Sequence, residues 1–289
     1  MLSHRLLIRS GYISQLGAGI FSFTPIGWRV IEKIKNIIRS EMNSIDCHEA
    51  NFPVVQPSDI WEESGRIDSF IPPLARFTDR RDKIMIIAPT HEESVISMVR
   101  SEVNSYRDMP FSLFHIQTKF RDETRPRGGL LRVREFEMKD AYSFHSDQES
   151  LDEVYEKFSQ AYFNIFNRCG IDVIKVAADS GAIGGKVSSE FISVAENGED
   201  TILKCDECLY AANEEKAEFK KIIKNDTDNL VEKSETETPN IKSIQDLSNF
   251  FNLDPHCFIK TMVYFSGKKP ILVSLAGDLE VNETKSGMP

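Results

Sequence analysis

FSLFHIQTKFRDE, from Phe111 to Glu123, constrains the fold more than any other stretch because its side chains alternate in character. Phe114, Ile116 and Phe120 fall on one side of an extended chain; His115, Gln117, Lys119, Arg121 and Glu123 fall on the other. That is the two-residue period of a β-strand with one apolar face and one functional or wet face. TRPRGGLL then interrupts the pattern, and a returning run places Arg132, Arg134, Phe136, Met138, Asp140 and Tyr142 on a common face. Two alternating runs around a turn predict an antiparallel hairpin with a mobile, basic tip. Five arginines and two lysines lie between Lys119 and His145. Guanidinium forks bind phosphate oxygens and an aromatic ring stacks on a base, so this face suits a nucleotide. It equally suits an exposed strand pair whose Arg and Glu side chains pair across the sheet, at about 0.2–1 kcal/mol each.

Other segments take their type from periodicity. GWRVIEKIKNIIRSEM sets Val30, Ile31, Ile34, Ile37, Ile38 and Met42 at helical spacing, an amphipathic helix. FPVVQP is a short extended run whose Pro53 and Pro57 suit an edge or interface. KIMIIAP reads as a buried strand, and THEESVISMVRSEV as a helix with Val95, Ile96, Val99 and Val103 inward. Thr90 with Glu93, and Ser146 with Glu149, have capping-box spacing. The helix from Ser146 ends at Gly170. IDVIKVAAD and SSEFISVAE read as strands around the loop SGAIGG, which lacks the Lys-Ser/Thr ending of a P-loop and so marks a turn. Cys205 and Cys208 form a lone CxxC, a turn between strands or part of a metal knuckle.

With 289 residues, 40% of them hydrophobic, the chain has length for more than one core. No apolar run approaches the roughly 20 residues of a membrane span, and the expectation is a cytoplasmic protein. Five cysteines without an export signal point to reduced thiols. At a net charge of −10, a nucleic-acid partner must be met by a local basic patch. From Lys216 to Asn240 the composition turns charged and poor in large apolar residues, as in a linker. The domains expected are 1–215, the linker 216–240, and 241–289 as the start of a further domain with one helix and two strands.

KFRDE, the loop after it and REFEMKDAYSFH resemble motif 2 of the class II aminoacyl-tRNA synthetases. APTHEE, FPVVQP and YAANEEKAE narrow the resemblance to bacterial-type prolyl-tRNA synthetases, over nearly the whole chain. It implies an α+β fold: an antiparallel class II sheet flanked by helices, followed by the beginning of an α/β editing insertion. It also implies activation of L-proline by ATP, with Mg²⁺, to prolyl-adenylate and transfer to tRNA(Pro). Motif 2 would give Arg121 the α-phosphate and the amino-acid carboxylate, Glu123 the adenine amino group, Phe136 the adenine face and Arg132 the ATP phosphates. The Thr-x-Glu loop matches Thr90 and Glu92, which would bind the proline ammonium, while Met138, Asp140 and Tyr142 would line the prolyl pocket. The helix at 27–42 through Pro53 resembles motif 1 and implies a homodimer.

IKTMVYF and GDLEVNETK resemble the start of the editing insertion, which places Lys260 in a site that deacylates mischarged alanyl-tRNA(Pro). Such a second site is physically expected, since a pocket sized for proline rejects alanine by only a few kcal/mol. The chain lacks motif 3 and an anticodon-binding domain, and carries Ser189 where the family often has His. These departures imply a fragment or truncated product. They leave in competition the ligase, a stand-alone mischarged-tRNA deacylase, and a non-catalytic paralogue that keeps the nucleotide-binding hairpin.

Overall fold

The computed structural model describes residues 1–179, 185, 187–195, 198, 200–218 and 234–281. By contacts the chain divides into two compact units, Met1–Asp172 and Val173–Pro289. The strands expected within IDVIKVAAD and SSEFISVAE form at 174–178 and 188–192 and fall in the second unit.

The first unit opens with α1 (Leu2–Arg9) and the hairpin β1 (Ile13–Gly17) and β2 (Ile20–Phe23), and continues into α2 (Pro25–Ser44). Thr24 caps α2, its hydroxyl accepting from Gly27 N at 3.3 Å, with Pro25 preset in the first turn. After β3 (Cys47–Glu49) come β4 (Val55–Pro57), α3 (Asp59–Glu63), β5 (Arg76–Thr78), β6 (Ile84–Ile87) and α4 (Glu92–Glu102). The predicted hairpin follows as β7 (Phe111–Phe120) and β8 (Glu135–Phe144), and α5 (Gln148–Arg168) closes the unit.

β7 lies between β3 and β8 in one sheet; β6 lies between β4 and β5 in another, so the proline-flanked strand sits at an edge. The hairpin register pairs Lys119 with Phe136, Gln117 with Met138, and His115 with Asp140. Its Phe114 and Ile116 side packs under α2 and α5 around Met42, Cys47, Ala161 and Ile165. Burying a side chain the size of Phe114 or Met42, both fully enclosed, contributes about 1.5–3 kcal/mol each.

Several local expectations are corrected. The opposite hairpin face, expected to be functional or wet, is enclosed at His115 and Lys119, both 0% exposed, and open toward the tip, where the Arg132 side chain is 49% exposed. α4 begins at Glu92 with His91 at the cap and no side-chain cap bond, so Thr90 and Glu93 form no capping box. Ile96 turns outward. α5 is capped by Asp147, which accepts from Ser150 N at 2.9 Å; Ser146 instead donates to Asp147. The hairpin tip is packed: a Cβ on Gly129, at φ +69°, would lie 2.7 Å from His4 Cβ, and Arg134 N donates to Gly19 O at 2.8 Å. Gly170, at φ +74°, follows α5 as expected.

The second unit holds a sheet of β9 (Ile174–Ala178), β10 (Ser188–Ile192), β11 (Ile202–Lys204) and β12 (Ala211–Asn213). Cys205 and Cys208 lie in the turn between β11 and β12, with Cys205 N donating to Tyr210 O at 2.9 Å. α6 (Ile244–Phe251) starts with a Ser243–Asp246 capping box, and β13 (Ile259–Ser266) pairs antiparallel with β14 (Lys269–Ala276). The glycine-loop reading at residues 180–184 and 186, the middle of the expected linker at 219–233, and the end of GDLEVNETK lie outside the described residues. No described helix is long and apolar enough to cross a membrane.

Candidate active site

The site forms where the end of β7 holds the segment before α4. Phe120 N donates to Ala88 O at 3.0 Å, and Arg121 Nε donates to Pro89 O at 3.3 Å. This grip delivers Thr90, His91 and Glu92 to the hairpin's polar face. The Arg121 guanidinium lies 5.4 Å from the centre of the Phe136 ring, within the range of a cation–π contact. Thr90 Oγ1 donates to Glu92 Oε2 at 2.6 Å. Arg66 reaches in from the turn after α3, 2.8 Å from Glu93 Oε1 and 3.4 Å from Glu92 Oε2, and Ser64 also donates to Glu93.

Beneath this rim is a buried charged cluster. Lys119 Nζ lies 2.5 Å from His91 Nδ1 and 2.8 Å from Asp140 Oδ2, and His115 Nε2 lies 3.2 Å from that same oxygen. The His91 and His115 rings meet edge to face at 4.8 Å, and Tyr142 stacks on His115 at 5.9 Å. Gln117 takes the Phe52 N–H at 2.6 Å and donates back to the Phe52 carbonyl. Burial would raise the Asp140 carboxyl, but His115 and Lys119 hold it well below the usual carboxylate range. Burial pushes His91 down to about 4, and the Lys119 charge acts the same way. Burial also lowers Lys119, with Asp140 supporting its charge, and raises Tyr142 well above its ordinary value.

His91, His115 and Asp140 bring three possible metal-ligand atoms within 4.8 Å of one another. The Lys119 ammonium is against two of these three residues, so an ion there would have to displace it.

The structure therefore brings Thr90, Glu92, Arg121, Phe136, Asp140 and Tyr142 to one region, with Met138 on the same strand face. Glu123 and Arg132 are near the tip and pair with each other at 2.9 Å. Lys260 lies on β13 in the second unit, donating to Glu280 at 2.8 Å. Sequence reasoning missed Arg66, which has no periodic or motif signal, and gave His91 no role. It placed His115 and Lys119 on the correct face but did not see that they are enclosed.

The chain belongs to the class II aminoacyl-tRNA synthetases: the family model described as tRNA synthetase class II core domain (G, H, P, S and T) matches residues 76–262. Within that class it is 49% identical over 286 residues to a proline–tRNA ligase of Dehalococcoides mccartyi, and 46% identical over 283 residues to one of Desulfotalea psychrophila. Each alignment covers 98% of this chain and 50% of the relative, so the chain spans about half the length of these curated relatives. Two solved structures share its fold. The prolyl-tRNA synthetase of Giardia lamblia in complex with prolyl-adenylate gives TM-score 0.56 at 22% identity, covering 60% of this chain and 36% of that one. That of Cryptosporidium parvum, complexed with halofuginone and AMPPNP, gives 0.59 at 20% identity, covering 65% and 40%. The α+β class II fold expected from the sequence is the fold observed.

Proposed function

We propose that the protein containing this chain is a proline–tRNA ligase that activates L-proline with ATP and passes it to tRNA(Pro). The observation that carries the reading is the joint placement of Arg121, over Phe136, and the Thr90–Glu92 turn that Arg121 itself holds. Proline needs a carboxylate partner for its ammonium, and Glu92 supplies one. ATP needs a ring face and a fixed cation near its α-phosphate, which Phe136 and Arg121 supply.

In the reaction the proline carboxylate attacks the α-phosphorus and pyrophosphate leaves. Negative charge builds on the phosphoryl oxygens, and Arg121, already oriented by the Pro89 carbonyl, stabilises it without reorganising. Thr90 steadies the Glu92 carboxylate that receives the ammonium. Met138 offers an apolar wall to the ring methylenes. Glu123 accepts from the adenine amino group and Arg132 reaches the phosphates, which requires their mutual pair at the tip to open or share. Asp140 and Tyr142 belong to the floor: the Asp140 carboxylate is committed to Lys119 and His115, and it shapes the pocket from below.

Mg²⁺ arrives with ATP. The described cluster of His91, His115 and Asp140 does not fit it, because two of its three donors are imidazole nitrogens and the Lys119 ammonium is among them. A homodimer through the motif 1 region is part of the proposal, supported by the exposure of Ile26, Trp28 and Val30 on α2. So are a cytoplasmic location beside the tRNA, domain limits at 1–215, 216–240 and 241–289, and an editing role for Lys260. Proline-dependent ATP–pyrophosphate exchange by the intact protein tests the reading: exchange driven by proline supports it, and exchange driven by a different amino acid, or by none, defeats it.

A further inference from the structure

Lys119 is a fully enclosed cation with no contact to solvent. Removing an ammonium from water costs several kcal/mol, and a buried ion pair is often no more stabilising than a packed apolar pair. Stability alone therefore gives no reason for it. Its chemistry gives one: lysine carries three donors and no acceptor. His91 Nδ1, 2.5 Å from Nζ, must then accept, which places the proton of the neutral imidazole on Nε2 and fixes the ring's rotation. The ring is attached to the main chain between Thr90 and Glu92, at the cap of α4, so its orientation sets the path of that turn. The same ammonium holds the Asp140 carboxylate, on which His115 rests, and Tyr142 stacks on His115.

We infer that Lys119 is a positioning residue for amino-acid recognition, aiming the Thr90–Glu92 turn through His91 and bracing the pocket floor through Asp140 without touching the substrate. The inference rests on the reading of that turn as the site of the proline ammonium. The alternative is that the cluster only holds β7, β8 and α4 together.

Lys119→Met keeps length and removes the charge. In exchange assays on the intact protein it is expected to raise the KM for proline at least tenfold and to leave that for ATP within twofold. Imidazole nitrogen NMR supplies a second readout, with Lys119 and His115 on β7, Asp140 on β8 and Glu92 on α4 as the charged or titratable neighbours. His91 should show Nδ1 as an unprotonated acceptor with the proton on Nε2 in the wild type, and that single tautomer should be lost in the variant, which has no donor to Nδ1. Should Lys119→Met not fold, the pair His91→Leu and His91→Asn replaces it, because the Asn side-chain oxygen can accept from Lys119 and Asn also caps helices well. Leu is expected to raise the proline KM as Lys119→Met does, and Asn to return it to within threefold of wild type. Proline KM unchanged in a folded Lys119→Met or His91→Leu protein, or Leu and Asn equally impaired, overturns the inference. A wild type without proline-dependent exchange defeats the proposed function instead, and is seen before any variant is made.

Discussion

Replacing Arg121 by alanine separates catalysis from stability, and the structure sets both magnitudes. Among the described residues the side chain makes one long hydrogen bond, 3.3 Å to Pro89 O, and one cation–π contact at 5.4 Å to Phe136. At about 0.5–1 kcal/mol each for partly exposed groups, their loss costs about 1–2 kcal/mol of stability. The backbone bond from Arg121 N to Arg134 O, at 2.8 Å, does not depend on the side chain and remains. Under the proposed function, the same guanidinium would face the charge that builds on the α-phosphate in the transition state. Removing one preorganised donor there lowers the rate about 10²–10³-fold. Urea denaturation and proline-dependent pyrophosphate exchange on the same preparations measure the two effects. Exchange within a few-fold of wild type, or a rate loss accompanied by destabilisation beyond about 3 kcal/mol, refutes the assignment of Arg121 to the reacting phosphate.

Glu92→Gln should raise the KM for proline roughly 10- to 100-fold, the loss of a charge-assisted hydrogen bond, and leave that for ATP near wild type; parallel movement of the two constants would return Glu92 to a helix-start role. Stability should fall in acid in two stages. Unfolded His91 titrates at the ordinary value of about 6.5, whereas folding holds it at about 4. Between those values the unfolded chain binds the extra proton and up to roughly 3 kcal/mol is lost as pH drops. Below about pH 4 the depressed Asp140 carboxyl adds a second loss as it protonates. His91→Asn should flatten the first limb in urea titrations at each pH, and an unchanged limb would mean another group titrates. Amides of β13 and β14 should exchange faster than those of β7 and β8, since Ile259, Val263, Phe265 and Leu272 on that hairpin are more than half exposed whereas β7 carries the buried Phe114, His115 and Lys119; equal protection by hydrogen-exchange mass spectrometry would show that the second unit covers its strands.

Alternation from Phe111 to Glu123 was enough to predict the hairpin, because a strand's side chains follow a strictly local two-residue period. The register then put Arg121 and Phe136 on one side, as the sequence implies. Helix caps were legible only to within a residue: Ser146 and Thr90 have the right spacing, but Asp147 caps one helix and His91 begins the other. A cap depends on the exact residue at which the backbone leaves the helix, and several polar neighbours satisfy the same pattern.

Which residues form strands and helices, and which polar side chains share the hairpin face, follow from the order of amino acids alone, since both are set by covalent geometry over a few residues. That the inner part of this face, at His115 and Lys119, is enclosed was decided by tertiary structure. Phe52 and His91, just before α4, cover it from elsewhere in the chain, and only that cover turns Lys119, His91, His115 and Asp140 from surface charges into a buried, mutually dependent cluster. Arg66, 26 residues before Glu92, reaches the site the same way. Long-range proximity of this kind has no period and no motif, because it is fixed by how separate elements pack and not by what any one of them prefers.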